Sequence, residues 1–346
     1  MPQLSIILCT SRSKGCLGPD SDTHHIDMTL RSLEEQTFKD FEVIISDAAD
    51  GVRDLTQEVE TPLDSYSFPV KVVVPKSPFL EAKVWAVQAT RNAGAEAAEA
   101  DLFFYMDDCK IIPPDMLEKS MRVIRDYNWM PQVLYHRRTN GYFYDNPQFI
   151  DVNKMEGDYF KAKKAKMNFA SFDNRVNILP YDFEFKTGVI KPWQMFWQHF
   201  YSTFFIRAED FFAVNGYDEA FDGQKSADDI ELGSRLQMAG LMNHCIMEDI
   251  YVYEEYHTDI DNRAFRGMEG IYCKFNMDLL WLMRFKQISK ANCTDYTEEE
   301  LESVARGLYS GDPNWPSEAA VNESKTLRDF WKANIIKKEL KRFSNE

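Results

Sequence analysis

The stretch that most constrains the fold is Ala100-Asp101-Leu102-Phe103-Phe104-Tyr105-Met106-Asp107-Asp108-Cys109, an apolar run that halts on two adjacent carboxylates. Leu102 to Met106 is short and aromatic-rich, and an Ala-rich helical stretch precedes it. It therefore reads as a central buried strand of an α/β sheet rather than as a helix. Asp107 and Asp108 then fall at the carboxyl end of that strand, where open α/β sheets place their ligands. Neighbouring carboxylates repel unless a cation joins them, and a divalent metal carrying a phosphate, or an arginine, would do so. An Asp-rich turn leading into Pro113-Pro114 would give the same residues without any ligand.

The flanking sequence supplies partners for this strand. Leu4 to Thr10 is β-rich and ends in a polar cluster, predicting a first buried strand with a loop from Ser11 to Asp22 at its carboxyl end. Asp27 to Gln36 predicts a helix, with Asp27 as its cap and Leu30 and Leu33 at helical spacing. Phe41 to Asp47 predicts a second strand ending on a carboxylate, followed by the turn Ala48-Ala49-Asp50-Gly51. Strand, helix, strand implies a parallel pair joined by a right-handed crossover. Val70 to Val74 predicts a third strand, and Phe79 to Ala98 a helix rich in Ala, Glu, Lys and Gln. Arg91 on that helix could neutralise the Asp pair, or could be an ordinary surface arginine.

A chain of 346 residues, 44% hydrophobic and 14% aromatic, can bury a substantial core. Its formal charge of −16 opposes generic binding to polyanions. Six cysteines, at 9, 16, 109, 245, 273 and 293, show no CxxC spacing, so neither a zinc site nor a disulfide framework is indicated and a reducing compartment fits. Met1 to Cys9 is too short for a signal peptide, and no window approaches the roughly 20 apolar residues that span a bilayer. The expectation is a soluble, cytoplasmic protein. Ile335 to Phe343 forms a short basic amphipathic pattern that could touch an anionic membrane or remain solvated, giving peripheral membrane contact or oligomerisation through the C-terminal helices as further possibilities.

Four motifs in order make the first half resemble a family 2 glycosyltransferase of the GT-A fold. Leu4 to Arg12 is similar to the family's opening strand, and Leu30 to Asp47 to its helix and second strand. Thr90-Arg91-Asn92-Ala93-Gly94 is similar to its ARNxG segment, and Asp107-Asp108-Cys109, with Pro114-Asp115 following, to its Asp-x-Asp strand end. Met130 to Gln198 follows the family pattern poorly. It is aromatic, with basic clusters at His136-Arg137-Arg138 and at Lys161, Lys163, Lys164 and Lys166, and reads as the variable acceptor side. The resemblance resumes at Thr203 to Phe221 and at Ala227-Asp228-Asp229-Ile230-Glu231-Leu232-Gly233-Ser234-Arg235-Leu236. Leu232, Leu236 and Ala239 fall at helical spacing, so Asp228 and Asp229 open a helix whose amide groups favour their anionic form; carboxylates there also serve as plain caps. Tyr251 to His257 is strand-like, and some relatives place a metal-binding histidine at about this distance. Phe265 to Glu346 is helical in pattern and lies outside the resemblance.

The fold so implied is α/β of GT-A type: a mixed, mainly parallel sheet flanked by helices, with a C-terminal helical appendage. Residues 1–260 form the transferase domain, divided into a nucleotide-sugar half (1–125) and an acceptor half (126–260), and residues 261–346 a helical extension. The resemblance implies transfer of a sugar from a nucleotide-diphosphate donor, a UDP-sugar foremost, to the hydroxyl of a saccharide or glycoconjugate, with inversion. A nucleic-acid acceptor is disfavoured by charge. Thr10, Arg12, Asp47, Arg91, Asp107 and Asp108 would bind the donor, and Asp229 would take the acceptor's proton, with Asp228 as its rival. A divalent cation, Mn2+ or Mg2+, would sit on Asp108 and His257. Family spacing also points to Cys109 as a ligand, but a thiol suits these hard cations poorly. That departure keeps a non-catalytic nucleotide-sugar-binding protein in view, and the nucleotide-binding α/β sheet admits a nucleotidyltransferase.

Overall fold

The computed structural model describes residues 1–11, 25–49, 54–81, 86–132, 136–138, 203–223, 227, 230–241, 244–246, 250, 252–254, 274–291 and 296–305. Strands β1 (Leu4–Thr10), β2 (Phe41–Asp47), β3 (Val70–Val73) and β4 (Leu102–Asp107) run parallel, with β1 between β2 and β4. β8 (Phe204–Arg207) pairs antiparallel with β4, β6 (Met130–Gln132) antiparallel with β8, and β9 (His244–Ile246) parallel with β6. The seven-stranded order is therefore β3-β2-β1-β4-β8-β6-β9. A second sheet has β5 (Lys110–Ile111), β10 (Val252–Glu254) and β7 (His136–Arg138), with β10 in the middle. The expected mixed, mainly parallel sheet flanked by helices is what forms.

Strand periodicity sorts the core into two layers. Leu4, Ile6 and Leu8 of β1, with Leu102, Phe104 and Met106 of β4, pack on one face against α1 (His25–Glu34) and α5 (Met116–Tyr127). Ile7, Phe103 and Tyr105 pack on the other face with Ala95 of α4 (Val87–Ala97), Phe211 of α6 (Ala208–Ala213) and Leu232 and Leu236 of α7 (Glu231–Met238). Burial on both faces is why these strands read as continuous apolar runs.

Four local expectations are corrected. Asp27 does not cap α1; it lies in the first turn, wholly buried, and accepts the N–H groups of Glu60 and Thr61 just after α2 (Leu55–Glu58). β3 stops at Val73, and Val74 is half exposed. The long helix from Phe79 is two pieces, α3 (Pro78–Glu81) and α4. Asp222 fixes the start of α4 by accepting from the N–H groups of Gln88 and Ala89, at 2.8 and 3.0 Å, as an anion at a helix N-terminus should. Ala239 is the exposed C-cap of α7 rather than part of its apolar face. Within α4, Gly94 lets the helix lie close on β1, since a Cβ there would overlap the Ile7 Cγ2 methyl.

Downstream, α8 (Lys274–Phe285) and α9 (Glu298–Ala305) are held in a third apolar cluster. Leu279, Met283 and Leu301 share it with Phe221, Ala86 and Ala89, so these helices cover the start of α4. Among the described residues no helix is long and apolar enough to cross a membrane. The Lys161 to Lys166 cluster and the Ile335 to Phe343 segment lie outside the described residues.

Candidate functional site

Three parallel strands end side by side. Thr10 pairs in register with Asp47, and Cys9 with Asp107, so the two strand-terminal carboxylates flank the end of β1. Thr10 Oγ1 donates to Asp108 Oδ2 at 2.6 Å, with both side chains buried. The Thr10 carbonyl accepts the Ala48 N–H, while Asp47 Oδ1 accepts the Ala49 N–H at 2.9 Å, closing the turn after β2. The Thr29 hydroxyl of α1 lies within bonding distance of the Asp108 and Lys110 carbonyls, at 2.7 and 2.9 Å, and pins the turn that carries Asp108 and Cys109. Of the adjacent pair, Asp108 is fully buried and Asp107 half-buried.

Arg91 is not a surface arginine. It is 4% exposed, its guanidinium lies 4.9 Å from the centre of the Tyr217 ring, and its carbonyl accepts the Tyr105 hydroxyl. Burial pushes the Cys9 thiol up to about 12; Arg91 opposes the shift, and Asp107 and Asp108 add to it. Arg91, Asp107 and Asp108 therefore each lie within electrostatic reach of Cys9, near the end of β1. Cys109 is buried and is not part of a disulfide.

The later segment docks on α4 through buried polar contacts. Asn92 Nδ2 donates to the Tyr217 carbonyl and to Glu219 Oε1, and Asn92 Oδ1 accepts the Tyr217 N–H. Glu231, wholly buried at the start of α7, receives Arg235 Nε and Nη2 on Oε2 at 2.8 and 2.5 Å. Its Oε1 receives the Asp218 N–H at 3.1 Å and Gln88 Nε2 at 3.3 Å. Arg235 also donates to the carbonyls of Val214 and Gly216, each at 2.7 Å. Burial pushes the Glu231 carboxyl up to about 7, against the pull of Arg235.

Asp228 and Asp229, as well as Arg12 and His257, lie outside the described residues. The neighbours of Asp228 and Asp229 are placed: Ala227 has left-handed φ of 59°, and its carbonyl accepts the N–H groups of Ile230 and Glu231 at 3.0 Å. β10 runs antiparallel to β5, with Glu254 opposite Lys110. Among the described residues no group of three or more His, Cys, Asp or Glu side chains is arranged to hold a metal ion.

Sequence reading missed Asp222, Asn92, Gln88 and Glu231 as organisers of the site. For Glu231 a signal existed, because Glu and Arg four apart share a helix face. Asn92 lies in the segment similar to the family's ARNxG, which marks the residue without showing its partners, whereas Asp222 carries no signal, since the amides it binds lie more than a hundred residues away in the chain.

A family model described as glycosyltransferase like family 2 matches residues 15–270. No curated protein matches the sequence. Among solved structures, TarS 1–349 of S. aureus superposes with a TM-score of 0.52, at 14% identity, covering 96% of this chain and 81% of that one. The same protein with UDP-GlcNAc gives 0.53 at 13% identity, over 96% and 81%. A mannosyltransferase of Pyrobaculum calidifontis with GDP-Man and Mn2+ gives 0.45 at 12% identity over 96% and 81%, too loose to carry an argument.

Proposed function

The chain belongs to the glycosyltransferase-like family 2, a family of sugar-transferring enzymes on a GT-A type fold, and from that premise we propose the chemistry of its site. The donor is a nucleotide-diphosphate sugar, with a UDP-sugar the first to test, as the TarS complex with UDP-GlcNAc suggests. The acceptor is a hydroxyl of a saccharide or glycoconjugate, and transfer inverts the anomeric carbon. Residues 1–260 form the transferase domain and residues 261–346 its helical extension. A cytoplasmic location suits Cys9 and Cys109, which are not part of a disulfide.

One observation carries the reading. A single helix, α4, carries Arg91, which acts on Cys9 at the end of β1 as Asp107 and Asp108 do, while the residues on either side of Asp228 and Asp229 are bonded to that helix, through Asp222 and through Glu231. These contacts support the reading that carboxylates far apart in sequence serve one site. Asp47 and Thr10 bind the nucleoside end of the donor together with Arg12, and Arg91 braces Asp107 or the diphosphate.

Asp229 accepts the proton of the acceptor hydroxyl as its oxygen attacks the anomeric carbon, and the nucleoside diphosphate leaves with the electrons of the broken C–O bond. Asp228 is the rival base. Glu231 is unsuited to that role because each of its oxygens already accepts two donors. The oxygen donors of Asp107 and Asp108 fit a hard divalent cation, whereas Cys109 does not. We assign the ion, Mn2+ or Mg2+, to Asp108 and, from its place in the sequence alone, to His257. Such an ion would supply positive charge against the departing diphosphate.

The test is donor consumption with nucleotide sugars, with and without Mn2+, in the wild type and in Asp229→Asn. The variant should lose transfer while retaining nucleotide affinity by calorimetry. Retained turnover would move the base to Asp228, and wild-type nucleotide binding without any donor consumption would make the protein a binder.

A further inference from the structure

One of the carboxamides that join α4 to the later segment bonds two charged side chains at once. Gln88 is fully buried on α4, one turn before Arg91. Its Oε1 accepts from Arg91 Nη1 at 3.2 Å, and its Nε2 donates to Glu231 Oε1 at 3.3 Å. Only one orientation of the amide satisfies both neighbours, since a flip would set the NH2 against the guanidinium and the carbonyl against the carboxylate. The backbone N–H of Gln88 is held separately by Asp222, so a change of side chain leaves the start of the helix intact. Glu231 is locked in turn to Arg235, which grips the carbonyls of Val214 and Gly216. The Arg91 guanidinium, within electrostatic reach of Cys9 and over the Tyr217 ring, is thus joined by two consecutive hydrogen bonds to Glu231 at the start of α7.

We propose that Gln88 is a positioning residue that fixes Arg91, on the donor side, relative to Glu231 and the start of α7 on the acceptor side. This role presupposes the transfer chemistry proposed above and deepens it, since attack needs donor carbon and base aligned at once. An ordinary core glutamine would contribute to stability and leave Arg91 and Glu231 energetically independent of each other. A tie makes them interdependent, and makes that interdependence vanish with the amide.

Arg91→Lys, Glu231→Gln and their combination, each made with and without Gln88→Leu, separate the two cases. With Gln88 in place the two changes should be non-additive in kcat by about tenfold, as expected for members of one hydrogen-bond network. Their unfolding midpoints should be non-additive in urea as well. In the Gln88→Leu background both measures should become additive. Additivity with Gln88 present, or equal coupling after Gln88→Leu, would overturn the proposal. If Glu231→Gln does not fold, Gln88→Glu serves instead. It keeps an acceptor for Arg91 and sets a carboxylate against Glu231, so kcat should fall at least tenfold while calorimetric UDP affinity changes less than threefold. Unchanged kcat would again refute the role. A wild type that consumes no nucleotide sugar would defeat the transfer reading alone, because the urea midpoints still report the tie.

Discussion

Replacing Gly94 with alanine tests the contact that sets α4, and with it Arg91, against the sheet. Gly94 has ordinary helical geometry, so a methyl there costs nothing in backbone strain. What it meets is Ile7 Cγ2, with Ile7 Cβ at 3.6 Å and Cγ1 at 3.8 Å behind it. That methyl cannot swing aside: Ile7 is β-branched and wholly buried, and its strand is paired on both edges. Overpacking of this kind costs about 1–3 kcal/mol, and the rigid setting puts Gly94 near the upper end. The better helix propensity of alanine returns about 1 kcal/mol. The net loss should be about 2 kcal/mol, read as a lower urea midpoint at unchanged slope. Ile7→Ala removes the obstructing methyl at a cost of about 2–5 kcal/mol of its own. On that background Gly94→Ala should stabilise by about 1 kcal/mol, because only the propensity gain is left. The sign of the same substitution therefore reverses, a swing of about 3 kcal/mol between backgrounds. A neutral or stabilising Gly94→Ala in the otherwise native chain would show that α4 does not rest on β1 in this way.

Two further outcomes follow from single contacts. Thr10→Val keeps the shape of the residue and deletes the 2.6 Å hydrogen bond to buried Asp108, so stability should fall by about 1.5–3 kcal/mol, and a change under about 0.5 kcal/mol would deny that bond its role. His244 is wholly buried, one ring nitrogen lies 3.1 Å from the Phe205 carbonyl, and burial pushes its pKa from 6.5 down to about 3. Because the folded value lies below the unfolded one, the unfolded chain takes up the proton first. Stability present above pH 6.5 is lost as pH falls toward 3, by about 2 kcal/mol at pH 5. His244→Gln should flatten the decline of the urea midpoint between pH 7.5 and 5, and parallel declines in the two proteins would contradict this.

What could be read from sequence and what could not divide along a physical line. β1, β2 and β4 were legible because strands buried on both faces must be apolar at every position, and their ends are marked where polar residues break the run. The same strand logic limits what can be said of Asp107 and Asp108. Asp107 is the last residue of its strand and Asp108 the first of the turn, and nothing local says which turns inward. That choice is made by Thr10, 98 positions earlier, whose hydroxyl takes Asp108. Arg91 was ambiguous for a similar reason: a helix rich in alanine does not show which of its faces is covered. The cover comes from Tyr217 and Asn92's partners in the later segment. The start of α4 was misread because its boundary is fixed by a carboxylate from another part of the chain rather than by a capping residue before it. The misreadings at Asp108, Arg91 and the start of α4 sit where a long-range contact overrides a local rule. A reaction that brings two substrates together between two parts of one chain needs such contacts, because local propensity can shape each part but cannot hold one against the other.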